Sequence, residues 1–294
     1  MQKSNKYLRL AKKVMVKVAA HFVVRWIINL ISEAVIYTQG GKKLHNYEFR
    51  FEIAPNKSVF VPTAKCRVFG RALVHEISKV WQPDSIFYHF GRRGGHVSAM
   101  KVHVGHSCLA SVDLTQFFPS VTRTMVARSL RKLGYPDRKA FNTAMESCVV
   151  AEGRKFLPYG FPQSMCLATL AVENSALGNT LKSAVAAGVS VSMFVDDIII
   201  SANNHALVAE YFNKIQVSAR ASGFEVSTSK VTPPGREVAS FNCRVSDNIE
   251  LLPQRIERFK EQLQFANDPG KVAILRYVSG LNQQQHDELL AFMA

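Results

Sequence analysis

The chain has 294 residues, 47% of them hydrophobic, and a formal charge of +15 from 37 basic and 22 acidic side chains. That apolar content can bury a sizeable core and excludes a disordered tail, while the positive excess points to polyanionic partners whose binding weakens as salt rises. Five widely scattered cysteines, odd in number and with no C-x-x-C pair, exclude a disulfide framework and fit reduced core residues in a reducing compartment.

At the amino end Lys3, Lys6, Arg9, Lys12, Lys13 and Lys17 precede any acid; they suit either a solvated helix end or an RNA contact. From Val14 to Ile36 the chain is apolar, but Lys17, His21, Arg25, Asn29 and Glu33 recur at every fourth position. This spacing predicts one polar stripe on an otherwise buried helix. A membrane span would carry several charges at bilayer depth, and no small-residue cleavage pattern marks a signal peptide, so a cytoplasmic protein with no membrane partner is expected. Residues 1–40 therefore read as a basic, amphipathic helical extension.

Between residues 40 and 62, Phe49, Phe51 and Ile53 alternate with polar neighbours before Pro55 and Pro62, the pattern of strands. His96, His103, His106 and Cys108 gather zinc-ligand types, but their spacing matches no common zinc knuckle. From Ala110 a short apolar strand is expected to end on Asp113, followed by the paired aromatics Phe117 and Phe118. A helix is expected from Asp137 to near Gly153, and Ser164 is placed to cap a long helix running toward Gly188. In Met193-Phe194-Val195-Asp196-Asp197-Ile198-Ile199-Ile200 two adjacent carboxylates lie between apolar β-formers, as in a hairpin whose turn carries the acids. Like charges beside a buried strand pair are costly unless a cation neutralises them, so divalent metal is expected there. With Asp113, three strand-end carboxylates suit two Mg²⁺ ions arranged for in-line phosphoryl transfer. Asn203 or Asn204 starts a further helix that stops at Gly223, and Pro253 opens a helical tail with a break at Asp268-Pro269-Gly270.

Three of these segments occur in the order of the reverse transcriptase palm motifs. Asp113–Ser120 resembles motif A, Gly160-Phe161-Pro162-Gln163-Ser164 resembles motif B, and Phe194–Asp197 resembles motif C with Phe for the usual Tyr. The likeness is to bacterial reverse transcriptases related to retrons and group II introns, and it extends over roughly residues 49 to 280. Ser222–Lys230 is similar to motif D, Phe241–Val245 to the primer-grip hairpin, and Phe90-Gly91-Arg92-Arg93-Gly94 to the glycine- and arginine-containing segment ahead of motif A. Ser98–His103 and Ser240–Cys243 differ from the standard retron patterns at those places, which suggests a defence-associated or abortive-infection-like member.

The resemblance implies an α+β right-hand polymerase, with fingers and palm, an antiparallel palm sheet flanked by helices, and a short helical thumb. Fingers are expected at 41–108, the palm at 109–240 with fingers helices inserted at about 122–160, and the primer-grip hairpin and thumb at 241–294, with no room beyond for a ribonuclease H, maturase or endonuclease domain. The implied activity is RNA-directed DNA synthesis from dNTPs on a dedicated structured non-coding RNA, in bacterial anti-phage defence. A protein-primed or template-independent DNA polymerase is the alternative within that class, and an RNA-binding scaffold with a palm-like fold is the alternative outside it. Asp113, Asp196, Asp197 and the Leu114 carbonyl would hold two Mg²⁺, with Mn²⁺ as a substitute, and Lys230 would act as a general acid toward pyrophosphate. Phe118 would lie under the incoming sugar and exclude a 2′-hydroxyl. Gln163, Lys65, Arg67 and Arg71 would contact nucleotide, and Phe194, Gly160, Pro162, Arg92 and Arg93 primer or template. RNA template and cDNA product are the implied partners, with an effector protein or a second copy of the chain as a further class.

Overall fold

The computed structural model of the chain describes residues 36–37, 46–55, 57–90 and 95–293. Its strands and helices run, in order, β1 (Ile36–Tyr37), β2 (Tyr47–Ala54), β3 (Lys57–Pro62), α1 (Ala64–Ser78), α2 (Gly95–Lys101), β4 (Cys108–Thr115), α3 (Phe117–Ser120), α4 (Arg123–Lys132) and α5 (Asp137–Ser147). Then come β5 (Val149–Ala151), β6 (Arg154–Phe156), α6 (Ser164–Glu173), α7 (Ala176–Ala186), β7 (Ser190–Phe194), β8 (Asp197–Ala202) and α8 (His205–Ala221). The carboxyl part holds β9 (Glu225–Val226), β10 (Thr232–Gly235), β11 (Val238–Ser240), β12 (Cys243–Val245), β13 (Ile249–Leu251), α9 (Pro253–Phe265), α10 (Asp268–Ser279) and α11 (Gln283–Met293). The class is α+β, as expected. Contacts divide the chain into two units, Met1–Gln82 with Phe118–Ala168, and Pro83–Phe117 with Thr169–Ala294.

In the first unit β1, β2 and β3 form an antiparallel sheet, and the period-two burial of Phe51 and Ile53 in β2 is what fixes its register. Tyr159 joins this sheet beyond β3: it bridges Val59 in parallel, and its carbonyl accepts from the Phe60 N–H at 2.9 Å. Tyr47, Phe60, Cys66, Val149 and Phe161 make the core beneath.

In the second unit an antiparallel sheet runs β10-β4-β8-β7, with β9 also paired to β4. Strand β4 lies between neighbours and is buried from Cys108 to Leu114, with Ser111 and Asp113 among the buried residues. Residues 86–88 extend the far edge, with Met193 N–H donating to the Ile86 carbonyl at 2.8 Å and Tyr88 N–H to the Met193 carbonyl at 3.0 Å. Helix α8 begins at Asn204, whose side chain accepts from the Leu207 N–H at 3.2 Å, and Gly223 follows its end at φ 83°. A second sheet, β11-β12-β13, packs with α9, α10 and α11 around Val245, Leu251, Phe259 and Val278.

Several local expectations are corrected. The helix from Asp137 stops at Ser147, because β-branched Val149 and Val150 enter a hairpin whose turn residues Glu152 and Gly153 sit at φ 53° and 71°. The helix from Ser164 is interrupted before Gly188: Asn174 and Ser175 separate α6 from α7, and Ser175 caps α7 by accepting from the Gly178 N–H. Ser164 does not act as that cap, since its hydroxyl donates to the Pro158 carbonyl at 2.7 Å. The break in the helical tail falls at Ala266-Asn267, about two residues early, because Asn267 caps α10 and Pro269 sits in its first turn. The hairpin expected at Phe241–Val245 gains a third strand, β13. Ile36, at the end of the expected amino-terminal helix, lies in β1, and the rest of that extension, with Arg92 and Arg93, lies outside the described residues. All five cysteines are buried and unbridged. Among the described residues no helix is long and apolar enough to cross a membrane.

Candidate active site

Strands β7 and β8 pair from Ser190↔Ser201 to Phe194↔Asp197, leaving Val195 and Asp196 as a two-residue turn. Val195 has φ 64°; a turn with a positive φ at its first central residue matches strand twist but normally calls for glycine there. Strand β4 lies on the other side of β8, in a register that sets Asp113 opposite Asp197. The pairing continues one step further, where the Leu114 N–H donates to the Asp196 carbonyl at 2.9 Å. Two strands and one turn thus bring Asp113 beside the adjacent pair Asp196 and Asp197, more than eighty residues further along the chain.

Lys230 completes the group. After Gly223, β9 pairs with Leu114 and Thr115, and the Ser227 N–H donates to the Asp113 carbonyl at 2.9 Å. This returns the chain so that Lys230 Nζ donates to Asp113 Oδ2 at 3.2 Å, an ion pair between a buried carboxylate and a largely exposed ammonium. Burial, then the charges of Asp196 and Asp113, push the Asp197 carboxyl up to about 8, with Lys230 opposing them. Burial alone would lower the Lys230 ammonium, but the charge and hydrogen bond of Asp113, with Asp196 and Asp197, raise it. Among the described residues no three His, Cys, Asp or Glu side chains stand close enough to form a finished metal cage. The donor set still fits a divalent cation, because a carboxyl kept protonated by burial and by the charges of two neighbouring acids, as Asp197 is, is one that a hard cation would ionise, and Lys230 already supplies a single positive charge there.

Two histidines absent from the expected site brace the hairpin. His89 follows the edge segment and accepts the Val195 N–H on Nδ1 at 3.0 Å, while Nε2 meets Thr169 Oγ1 at 2.7 Å. His103 is fully buried, with Nδ1 2.7 Å from Ser201 Oγ and Nε2 2.7 Å from Ser192 Oγ, and His106 Nδ1 meets the same Ser201 at 2.9 Å. Both ring nitrogens of His103 are thereby engaged by serines of β7 and β8, so it joins the two strands. Burial holds His103 down at about 3 and His89 down at about 4, both neutral. Phe194 packs edge-on against Phe241 at 5.4 Å and near His96 at 5.7 Å, and His96 Nε2 meets the Tyr277 hydroxyl at 3.1 Å. The residue at the motif C aromatic position is therefore part of an aromatic cluster with the β11–β12 turn and α10.

The remaining expected residues lie in the first unit. Lys65 and Arg71 are exposed on α1, whereas Arg67 Nη2 donates to the Pro62 carbonyl at 3.1 Å. Gln163 is fully buried with Nε2 4.0 Å from Cys66 Sγ, and a Cβ at Gly70 would stand 2.0 Å from its Oε1. Gly160 has φ 100°, and Pro162 is half-buried. Phe118 is 7% exposed and meets Tyr159 edge-on at 4.9 Å, with Lys57 Nζ 5.0 Å from the Tyr159 ring centroid. Phe117, by contrast, is core, stacked on Phe224 at 6.0 Å. Tyr159 and Gly70 gave no signal of their own in the sequence; a histidine following the apolar Ile86-Phe87-Tyr88 run was the one cue to His89.

No curated protein matches the chain. Among solved structures, a foamy viral protease-reverse transcriptase dRH in complex with double-stranded DNA is 18% identical over 83% of this chain and 37% of that one, at TM-score 0.44. A foamy viral protease-reverse transcriptase with an RNA/DNA hybrid is 14% identical over 76% of this chain and 26% of that one, at TM-score 0.43. The chain thus spans well under half the length of each of these two. Residues 49–234, which include Asp113, Gly160–Ser164, Asp196, Asp197 and Lys230, match the family described as Reverse transcriptase (RNA-dependent DNA polymerase), and the chain belongs to that family.

Proposed function

We propose that the chain is an RNA-directed DNA polymerase that extends a primer with dNTPs, its acids Asp113, Asp196 and Asp197 and the Leu114 carbonyl holding divalent cations. The observation that carries this reading is the register that sets Asp113 opposite Asp197 next to the Asp196 turn, with Lys230 on Asp113. Two Mg²⁺ ions, or Mn²⁺ in their place, supply activation of the primer 3′-hydroxyl and charge neutralisation at the leaving pyrophosphate. Lys230, whose ammonium is held protonated by its acidic neighbours, gives a proton to pyrophosphate. Phe118 excludes the 2′-hydroxyl, and Lys65, Arg67 and Arg71 serve the nucleotide, while Phe194, Gly160, Pro162, Arg92 and Arg93 serve primer and template. The fingers, palm and thumb take the boundaries given above.

The finer reading is a bacterial enzyme of the cytoplasm, copying a dedicated structured non-coding RNA in anti-phage defence. It is supported by the likeness of its motifs to retron and group II intron-related enzymes, and the RNA partner also by the +15 charge. The test is primer extension on an RNA template by wild type, Asp113→Asn and Asp196→Asn. Wild-type synthesis that both variants lose supports the polymerase. RNA binding without synthesis by wild type would make the protein a scaffold, and undiminished synthesis by either variant would refute the assigned acids.

A further inference from the structure

Val195 is a β-branched residue at φ 64° in a turn position that glycine occupies at little cost. Such a conformation persists only where its surroundings over-determine it. The first restraint is pairing: Phe194 and Asp197 face each other, and the Asp196 carbonyl is tied to the Leu114 N–H. The second is His89. Because the Val195 N–H points at Nδ1, that nitrogen accepts, and the neutral ring carries its proton on Nε2, which donates to Thr169 Oγ1. The ring is oriented in turn by Phe87, Phe90 and Phe194, whose centroids lie 5.9, 5.0 and 6.1 Å away. Thr169 is itself fully buried in α6. The chain of contacts therefore runs from a buried helix hydroxyl, through an imidazole fixed in one tautomer, to the Val195 amide beside Asp196 and Asp197.

We infer that His89 is a positioning residue for catalysis: by accepting the Val195 N–H it locks the left-handed turn that presents Asp196 and Asp197. It touches no reacting atom and acts through Val195. The inference rests on the polymerase reading, because its kinetic consequence is read as DNA synthesis. The two ring nitrogens have different tasks, and amide side chains can separate them. The Asn carbonyl oxygen reaches about as far as Nδ1 and can accept the Val195 N–H, whereas the Gln amide reaches about as far as Nε2 and serves Thr169.

The experiment measures kcat and KM for dTTP on a primed RNA homopolymer, together with hydrogen exchange at the Val195 amide by NMR. His89→Ala and His89→Gln are expected to lose about 10- to 100-fold in kcat with KM little changed, because the acids are misplaced while the nucleotide contacts persist. His89→Asn should stay within about threefold of wild type, and adding Val195→Gly to His89→Ala should restore about tenfold, since glycine holds the turn without help. The Val195 amide should be protected in wild type and His89→Asn and should exchange faster in His89→Gln. Equal kcat for the Asn and Gln variants, or no recovery on adding Val195→Gly, would overturn the inference. If wild type makes no DNA, the polymerase reading falls, and the exchange pattern alone decides whether His89 locks the turn. A variant that fails to fold is replaced by the Asn/Gln comparison, which keeps a polar group of similar size at position 89.

Discussion

Gly160→Ala should destabilise the first unit far more than Gly153→Ala, although both glycines have a positive φ. Gly153, at φ 71° in the β5–β6 turn, has open space where a Cβ would project, so alanine there costs only the unfavourable backbone conformation, about 1 kcal/mol. At Gly160, φ is 100° and a Cβ would lie 2.4 Å from the Phe60 carbonyl oxygen and 3.0 Å from Val59 Cγ1. The conformational cost is about 1–2 kcal/mol. The oxygen cannot yield freely, because the Phe60 N–H is bonded to the Tyr159 carbonyl; displacing that strand forfeits roughly another 1 kcal/mol of hydrogen bonding and incurs about 1–3 kcal/mol of overpacking. The expected difference between the two variants is therefore about 2–5 kcal/mol, read from urea unfolding midpoints at an unchanged slope. Equal midpoints would refute the reasoning, since they would mean that Tyr159 is not held against β3. As Pro162 and Gln163 follow directly, DNA synthesis by Gly160→Ala should fall at temperatures where the variant is still folded.

Three further outcomes are expected. The Asp197 carboxyl, raised from 3.8 to about 8 by burial and by Asp196 and Asp113, binds its proton more tightly folded than unfolded, so metal-free stability should fall as pH rises from about 4 through 8; urea midpoints at several pH values check this, and saturating Mg²⁺ should flatten the decline. Phe118→Val should raise ribonucleotide use relative to deoxynucleotide use, measured as a ratio of kcat/KM values, whereas Phe117→Ala should lower both by destabilising the core; an unchanged ratio for Phe118→Val would leave Phe118 as packing only. RNA affinity should fall steeply with salt, and a flat plot of log affinity against log salt would assign the +15 charge no role in phosphate contact.

The acids were legible in the sequence because metal chemistry restricts residue type while strand pairing restricts spacing: Asp113 after an apolar run and Asp196-Asp197 between apolar runs leave few alternatives. Of the aromatic pair, Phe117 lies in the core. What stayed hidden depends on contacts between distant positions. Nothing near His89 or His103 announces that one would meet the Val195 amide 106 residues on, and the other two serines of the same hairpin 89 and 98 residues on. Gln163 looked available because glutamine is polar, but Gly70 on α1 leaves room for its amide in the interior. Helix ends were misplaced where a local signal was outcompeted, as at Ser147, where the strand preference of Val149-Val150 ended a helix that composition alone would have carried to Gly153.

The pairing of β4 with β8 also governs how the protein comes into being. Strand β4 is complete at Thr115, but its partner β8 is synthesised only about eighty residues later, after α3 to α7 and the β5–β6 hairpin. In the interval a strand destined for burial along nearly its whole length has neither β8 nor the later β9 and β10 beside it. Such a segment is a template for mispairing between nascent chains. The same register that makes the acids converge therefore leaves their strand unpaired on the ribosome, and slowing translation between Thr115 and Asp197 should raise the fraction of aggregated product.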